Sequence, residues 1–220
     1  MKLKTFLAMM AVALCAVACS DDDEEDVTPD PESQGSMTVD TSDYGKWTYI
    51  NLKTGKTKTI RDFSSWNYLT DDAVVETVAA QGSEADIEMD WHIAIHRYDI
   101  RTNGGSAVAT FSTTLSEVST LPAGGYQEDE TVENTLIVDM TSMMQSKIGY
   151  ASTARTNPVL CGWLTKTATG AMPPYLYEPT NLIYIVKNKD GSYAKLKFTD
   201  HQDAEGNSGH VTFSYEYVGQ

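Results

Sequence analysis

From Met37 onward, apolar and polar side chains alternate in short runs broken by glycine, asparagine, aspartate and proline. That period of two is the signature of half-buried β-strands. Trp47, Tyr49 and Leu52 lie close to one alternating face, and Lys53-Thr54-Gly55-Lys56 reads as a turn into Thr57 to Ile60. Trp91-His92-Ile93-Ala94-Ile95-His96-Arg97-Tyr98-Asp99-Ile100-Arg101-Thr102-Asn103-Gly104-Gly105 is the longest such run, within a strand expected from Asp86 to Arg101. Its Asn-Gly-Gly ending predicts a turn into a partner strand, Ala107 to Thr113, and hence a central hairpin. Further strands are expected at Thr135 to Met140, Leu182 to Lys187, Tyr193 to Phe198 and His210 to Tyr217, with Asp190-Gly191 as a hairpin turn. Val159 to Lys166 reads as extended around Trp163, Gln127 to Glu133 as an acidic loop and Thr167 to Pro174 as a second loop. Asp71 to Val78 fits a short capped helix or a strand equally well. The pattern predicts an all-β, mostly antiparallel chain with few short helices.

The first residues differ. Lys2 and Lys4 precede an apolar run from Phe6 to Ala18, followed by Cys19. This predicts a signal peptide over residues 1–18, too short for a stable bilayer span. Ala16-Val17-Ala18-Cys19 is similar to a bacterial lipobox, which implies cleavage before Cys19 and acylation of its thiol. Residues 19–36 hold the block Asp21-Asp22-Asp23-Glu24-Glu25-Asp26 and two prolines, and predict an acidic tether. The block also resembles the export signal that sends some lipoproteins to the outer leaflet. Residues 37–220 remain as one β domain, about 180 residues, enough for a core of its own.

Charge and cysteine content narrow the function. The chain carries a formal −15, and loss of Lys2 and Lys4 with the leader leaves −17. Such a field repels phosphate backbones, so nucleic acid is excluded as a partner. Of Cys15, Cys19 and Cys161, only the last lies in the domain, so no internal disulfide is expected. No nucleophile elbow, phosphate loop, Cys-x-x-Cys or His-Glu-x-x-His occurs, and nothing supports an enzyme. His92 and His96 on a strand would sit about 13 Å apart, too far to share a metal. They read as structural or surface histidines, as do His201 and His210. Cys161 reads as a small buried apolar residue.

The Trp91 to Gly105 stretch, together with Phe198-Thr199-Asp200-His201-Gln202-Asp203-Ala204 and Gly209-His210-Val211-Thr212-Phe213-Ser214-Tyr215, resembles the HmuY-like haem-binding lipoproteins. The likeness covers roughly Thr38 to Tyr217; relatives are shorter around Trp66 to Gln81. It implies a haem clasped between two regions, each giving one axial ligand, a histidine pair in some members and a methionine pair in others. No histidine occurs between Arg97 and Asp200. The correspondence therefore implies ligation of haem b iron by Met144, with Met143 the close alternative, and by Met172. Taken singly, each methionine, Met140 included, would be read as a core gap-filler. Tyr150, Trp163, Tyr175 and Tyr177 are candidates for the porphyrin walls and Lys147 or Lys166 for a propionate, although ordinary packing or solvation explains each one alone.

The resemblance implies a haemophore-like lipoprotein on the outer-membrane surface, held there by its lipid anchor. Haem would come from host haemoproteins or the surroundings and pass to an outer-membrane haem receptor, and a homo-oligomer stays open. Two alternatives remain at this stage: a carbohydrate-binding module stacking sugars on Trp66, Trp163 and tyrosines, and an adhesion subunit without a small ligand.

Overall fold

The computed structural model describes residues 32–219. The expected signal peptide, Cys19 and most of the acidic tether lie outside the described residues. Within them the chain is almost wholly antiparallel sheet, with one helical turn and three 3-10 turns. None of its helices is long and apolar enough to cross a membrane. The strands are β1 (Ser33–Asp40), β2 (Lys46–Ile50), β3 (Thr57–Arg61), β4 (Trp66–Thr70), β5 (Ala73–Val78) and β6 (Ile93–His96). They continue with β7 (Asp99–Thr102), β8 (Ser106–Ala109), β9 (Gln127–Glu128), β10 (Glu130–Val132), β11 (Ile137–Asp139) and β12 (Ile148–Ala151). The last are β13 (Ala154–Thr156), β14 (Leu164–Ala168), β15 (Tyr175–Pro179), β16 (Ile183–Lys187), β17 (Tyr193–Gln202) and β18 (Ser208–Val218).

Three larger sheets, with two two-stranded ones beside them, pack around two main cores and a smaller third cluster of Val118, Ile183, Ile185, Tyr193 and Val218. The six-stranded sheet runs β1-β18-β17-β16-β8-β9, and two four-stranded sheets run β3-β2-β6-β7 and β11-β12-β4-β5. One core joins Ile50, Ile93, Ile95 and Ile100 to Leu196, Phe198, Val211 and Phe213. The other joins Trp47, Tyr49, Trp91 and Ala94 to Trp66, Val138 and Ala151. The sheet holding β2 and β6 is thus covered on both faces, which is why all four residues of β6 are buried.

This arrangement corrects several sequence expectations. The tight hairpin lies inside the long run: β6 turns at Arg97-Tyr98 and pairs with β7, Ile95 opposite Ile100. Asn103-Gly104-Gly105 does not close a hairpin; it carries the chain into β8, which pairs with β16 and β9 in the six-stranded sheet. A Cβ on Gly105 would stand 2.4 Å from the Lys187 carbonyl oxygen, so glycine is required there for close approach. β1 begins at Ser33, ahead of Met37, because as the edge strand beside β18 it can form backbone bonds with a polar segment as well as an apolar one. Asp71 and Asp72 at φ 48° and 62° turn β4 into β5, which resolves the ambiguous 71–78 segment as a strand. Residues Pro158–Cys161 form a helical turn (α1) instead of extended chain, capped by Asn157, whose side chain accepts from Val159 N and Leu160 N. The expected acidic loop forms β9 and β10 around Asp129, which accepts from Thr102 N and from Asn157 Nδ2.

Asp62 ties two sheets together. Its carboxylate accepts from Trp47 Nε1 at 2.8 Å and Trp66 Nε1 at 3.1 Å. It also takes the Ser64 N–H at 3.0 Å and the Ser64 hydroxyl. Removing it leaves two buried indole N–H groups without acceptors. Asp62→Ala should cost about 3 kcal/mol, read as a lower urea midpoint with an unchanged slope.

Asp99, beside Cys161, is pushed up to about 6 by burial alone, and burial raises the Cys161 thiol to about 12. The folded protein therefore holds a proton on Asp99 between pH 3.8 and about 6 that the unfolded chain has released, so this group makes stability fall as pH rises through that window. Relative to the wild type, Asp99→Asn should be more stable at pH 7.5 than at pH 4.5, with a difference of roughly 2 kcal/mol between the two. Urea melts at both pH values measure it.

Candidate functional site

The sequence-derived ligand candidates sit on two separate loops. Met143 and Met144 lie on the 3-10 turn Met143–Gln145 between β11 and β12. Met172 lies at the tip of the β14–β15 hairpin, before a cis Met172-Pro173 bond. Their exposures are 47%, 87% and 88%, against half-burial for Met140. No described hydrogen bond joins the 143–145 turn to the 169–174 tip.

A run of rings and two cations, Arg97 and Lys166, leads from the Tyr44 hollow to the Met172 hairpin. Met140, whose carbonyl accepts from Met143 N, lines a hollow with Tyr44, Trp66 and Asp139. The Arg97 guanidinium stacks 4.2 Å over Tyr44 and 5.4 Å from Tyr98. Tyr98 packs at 5.4 Å on Tyr177, which faces Tyr175 at 6.4 Å on the methionine hairpin. Lys166, on the paired strand, sits 3.9 Å over Tyr175. Ring and cation contacts thus run from Tyr44 through Arg97, Tyr98 and Tyr177 to Tyr175, joining three distant segments.

Each part is held from behind. Tyr44 is anchored by its carbonyl, which accepts from Nε2 of buried His96. Burial also lowers the pKa of His96, keeping the ring neutral. Arg97 adopts φ 51°, a region costly for a side-chain-bearing residue. Its guanidinium donates to Ser42 O at 3.1 Å and Ser208 O at 3.5 Å, and its carbonyl accepts from Thr41 Oγ1 at 2.9 Å. Tyr68 donates to Asp139 at 2.9 Å, and burial with this bond lifts the phenol to about 12. That contact fixes β11, and with it the turn carrying Met143.

The other named residues sort clearly. Trp163 is fully buried, donating from Nε1 to Tyr98 O at 2.9 Å, so it forms core beneath the site and no exposed wall. Tyr150 is half-buried in β12 opposite Asn67. Lys147 pairs with Glu76 and lies 4.7 Å over Tyr68. His92 accepts at Nδ1 from Leu52 N at 2.9 Å, and burial lowers its pKa. His210 stands 3.8 Å from Asp40 and 3.9 Å from Asp203. His201 is the unexpected case. It packs edge-on against Tyr98 and at a tilt against Tyr177, bringing an imidazole to the run that the gap from Arg97 to Asp200 hides. Its Nε2 is committed to Tyr177 O at 3.2 Å and the residue is buried.

Sequence reasoning named neither Tyr44 nor Arg97 and Tyr98 as site residues. Arg97-Tyr98 was visible as part of the organising run, but nothing local marks it as a turn that presents both side chains to Tyr44.

This architecture defines a class of antiparallel β-sheet protein whose exposed loops carry the candidate residues around a ring-lined hollow. The chain matches the HmuY protein family over residues 43–215 and belongs to that family. Among solved structures it is similar to the apo HmuY analog TFO of Tannerella forsythia, 44% identical with a TM-score of 0.80 over 89% of this chain and 100% of that one. It is also similar to apo PinO from Porphyromonas gingivitis, 28% identical, TM-score 0.78, over 85% and 98% of the two chains. A Bacteroides vulgatus protein proposed to be an HmuY-like heme-binding protein is 30% identical, TM-score 0.67, over 86% and 94%. No curated protein matches.

Gly209, at φ 93°, lies directly under Arg97: an added Cβ would stand 2.2 Å from Nη1 and 2.8 Å from the Ser42 Cα. Gly209→Ala should cost about 2 kcal/mol or more from the left-handed backbone and the collision. Arg97→Ala, which keeps the glycine, should cost less. Thermal melts of the two variants test the order.

Proposed function

We propose that this protein is a haem-binding surface lipoprotein that holds haem b between Met172 and Met144, with Met143 as the alternative partner. The observation that carries the reading is exposure. A methionine used as core filler is covered, whereas these thioethers stand open at loop tips. Family membership and the haem-binding description of the Bacteroides vulgatus neighbour support the same cargo.

The residues present suit the group. Two neutral soft sulfurs are available, Tyr44, Tyr98, Tyr175 and Tyr177 provide flat apolar surface, and Arg97 and Lys166 are cations near it for propionates. Bound haem would supply the iron, and the chain would supply grip without chemistry. We further propose acylation at Cys19, residence on the outer-membrane surface, and transfer of haem taken from host haemoproteins or the surroundings to an outer-membrane receptor. Ligands on loops suit such transfer, since loops open at lower cost than packed strands. The carbohydrate alternative loses its two tryptophans, Trp66 and Trp163, only 8% and 0% exposed, and keeps only tyrosines such as Tyr175.

Thioether is a poor base and favours reduced iron. Hemin titration should give a sharp Soret band that Met172→Ala, and one of Met144→Ala or Met143→Ala, weaken at least about tenfold in affinity, equivalent to about 1.4 kcal/mol. Ferrous haem, under dithionite, should bind more tightly than ferric. Affinity should change little between pH 5 and 8, since no ligand titrates there. A spectrum identical to free hemin would remove the proposal, and equal affinity in both oxidation states would remove methionine ligation.

A further inference from the structure

Asp62 also borders a second cavity, of about 280 Å³, whose walls include Trp47, Tyr49 and Phe63. Arg101 lines it, its side chain only 8% exposed. Four rings surround the guanidinium: Trp91 at 5.0 Å, Trp47 at 5.3 Å, Tyr49 at 5.5 Å and Phe63 at 5.8 Å. A buried cation costs several kcal/mol unless anions and acceptors compensate it. Here compensation is thin. Nη2 donates to Tyr49 Oη at 3.3 Å and to Glu84 Oε1 at 3.2 Å, and the buried Nε–H has no acceptor.

Neither neighbouring acid completes the shell. Both oxygens of Asp62 are already taken by the two indoles and Ser64. Glu84 is 66% exposed and touches Arg101 through a single oxygen–nitrogen pair, the weak geometry of a surface ion pair. A guanidinium offers five donors in a planar fork that fits a carboxylate through two parallel bonds. A second cation, Arg155, is exposed on the same lining.

We propose that this cavity is a binding site for a small monocarboxylic acid with a planar apolar body. The ligand's carboxylate takes Glu84's place on Arg101, with Arg155 adding attraction, and its ring lies against Trp47, Tyr49 and Phe63. Singly charged carboxylate is favoured over phosphate, because Asp62 and Glu84 repel a dianion and the walls are aromatic. The site shares no lining residue with the Tyr44 hollow and does not depend on haem binding.

Benzoate is the probe, followed by tryptophan fluorescence and by NMR of the Arg101 Hε. Benzoate should bind saturably and shift that proton, and neutral benzamide should bind at least about tenfold more weakly. Glu84→Gln, at an exposed position, removes the competing carboxylate and should tighten benzoate at least about threefold; Arg155→Ala should weaken it. The proposal is overturned by unsaturable binding, by equal binding of benzamide, by displacement of benzoate with inorganic phosphate, or by a Glu84→Gln protein that binds no more tightly.

Discussion

One buried carboxylate sets the spacing between the two four-stranded sheets. Asp62 follows β3 in the middle sheet, and its two indole donors come from β2 of that sheet and β4 of the next. With Cys161 free and no disulfide among the described residues, the sheets are registered by packing and by such hydrogen bonds. An apolar interface alone is tolerant of sliding, since dispersion and burial are weakly directional. A charged acceptor between two indoles is directional and becomes costly when misplaced. Trp66, positioned by that bond, then forms part of the Tyr44 hollow.

A similar pin holds the opposite end of the middle sheet. Asp129 takes the backbone and hydroxyl of Thr102, and Asn157, fully buried, donates to it while capping α1. The chain leaves β7 with its end fixed, and Gly105 lets it pass closely against Lys187. The turn carrying Met143 and Met144 is thus a short excursion from the pinned sheets, while Met172 tips the separate two-stranded hairpin β14–β15. The cost of a positive φ at Arg97 is offset within the same frame by bonds to Ser42, Ser208 and Thr41.

Much of the fold was legible because strand period and turn residues are local signals. The Gly55 and Gly191 turns, at φ 70° and 90°, and the strands beside them followed from that grammar. It misled where one residue type serves two purposes. Asn103-Gly104-Gly105 has the composition of a hairpin turn, yet Gly105 answers to a carbonyl eighty-two residues away in sequence. Asn157-Pro158 carried the start signal of a helix, and the aromatic and β-branched residues after it masked the signal. In β6 every position is apolar or buried, so periodicity could not tell which face met which core. The loop methionines were legible only through family resemblance, and their exposure needed coordinates. The Tyr44, Arg97 and Tyr177 run joins three separate segments and left no mark in the order of residues.

The openness of Met143, Met144 and Met172 has a chemical corollary. Sulfur at a loop tip meets dissolved peroxide before any half-buried methionine does, and the sulfoxide is polar, chiral and a different donor from the thioether. Oxidant strength in the surroundings thus becomes a variable that acts on these three side chains first, while the folded frame beneath them stays intact.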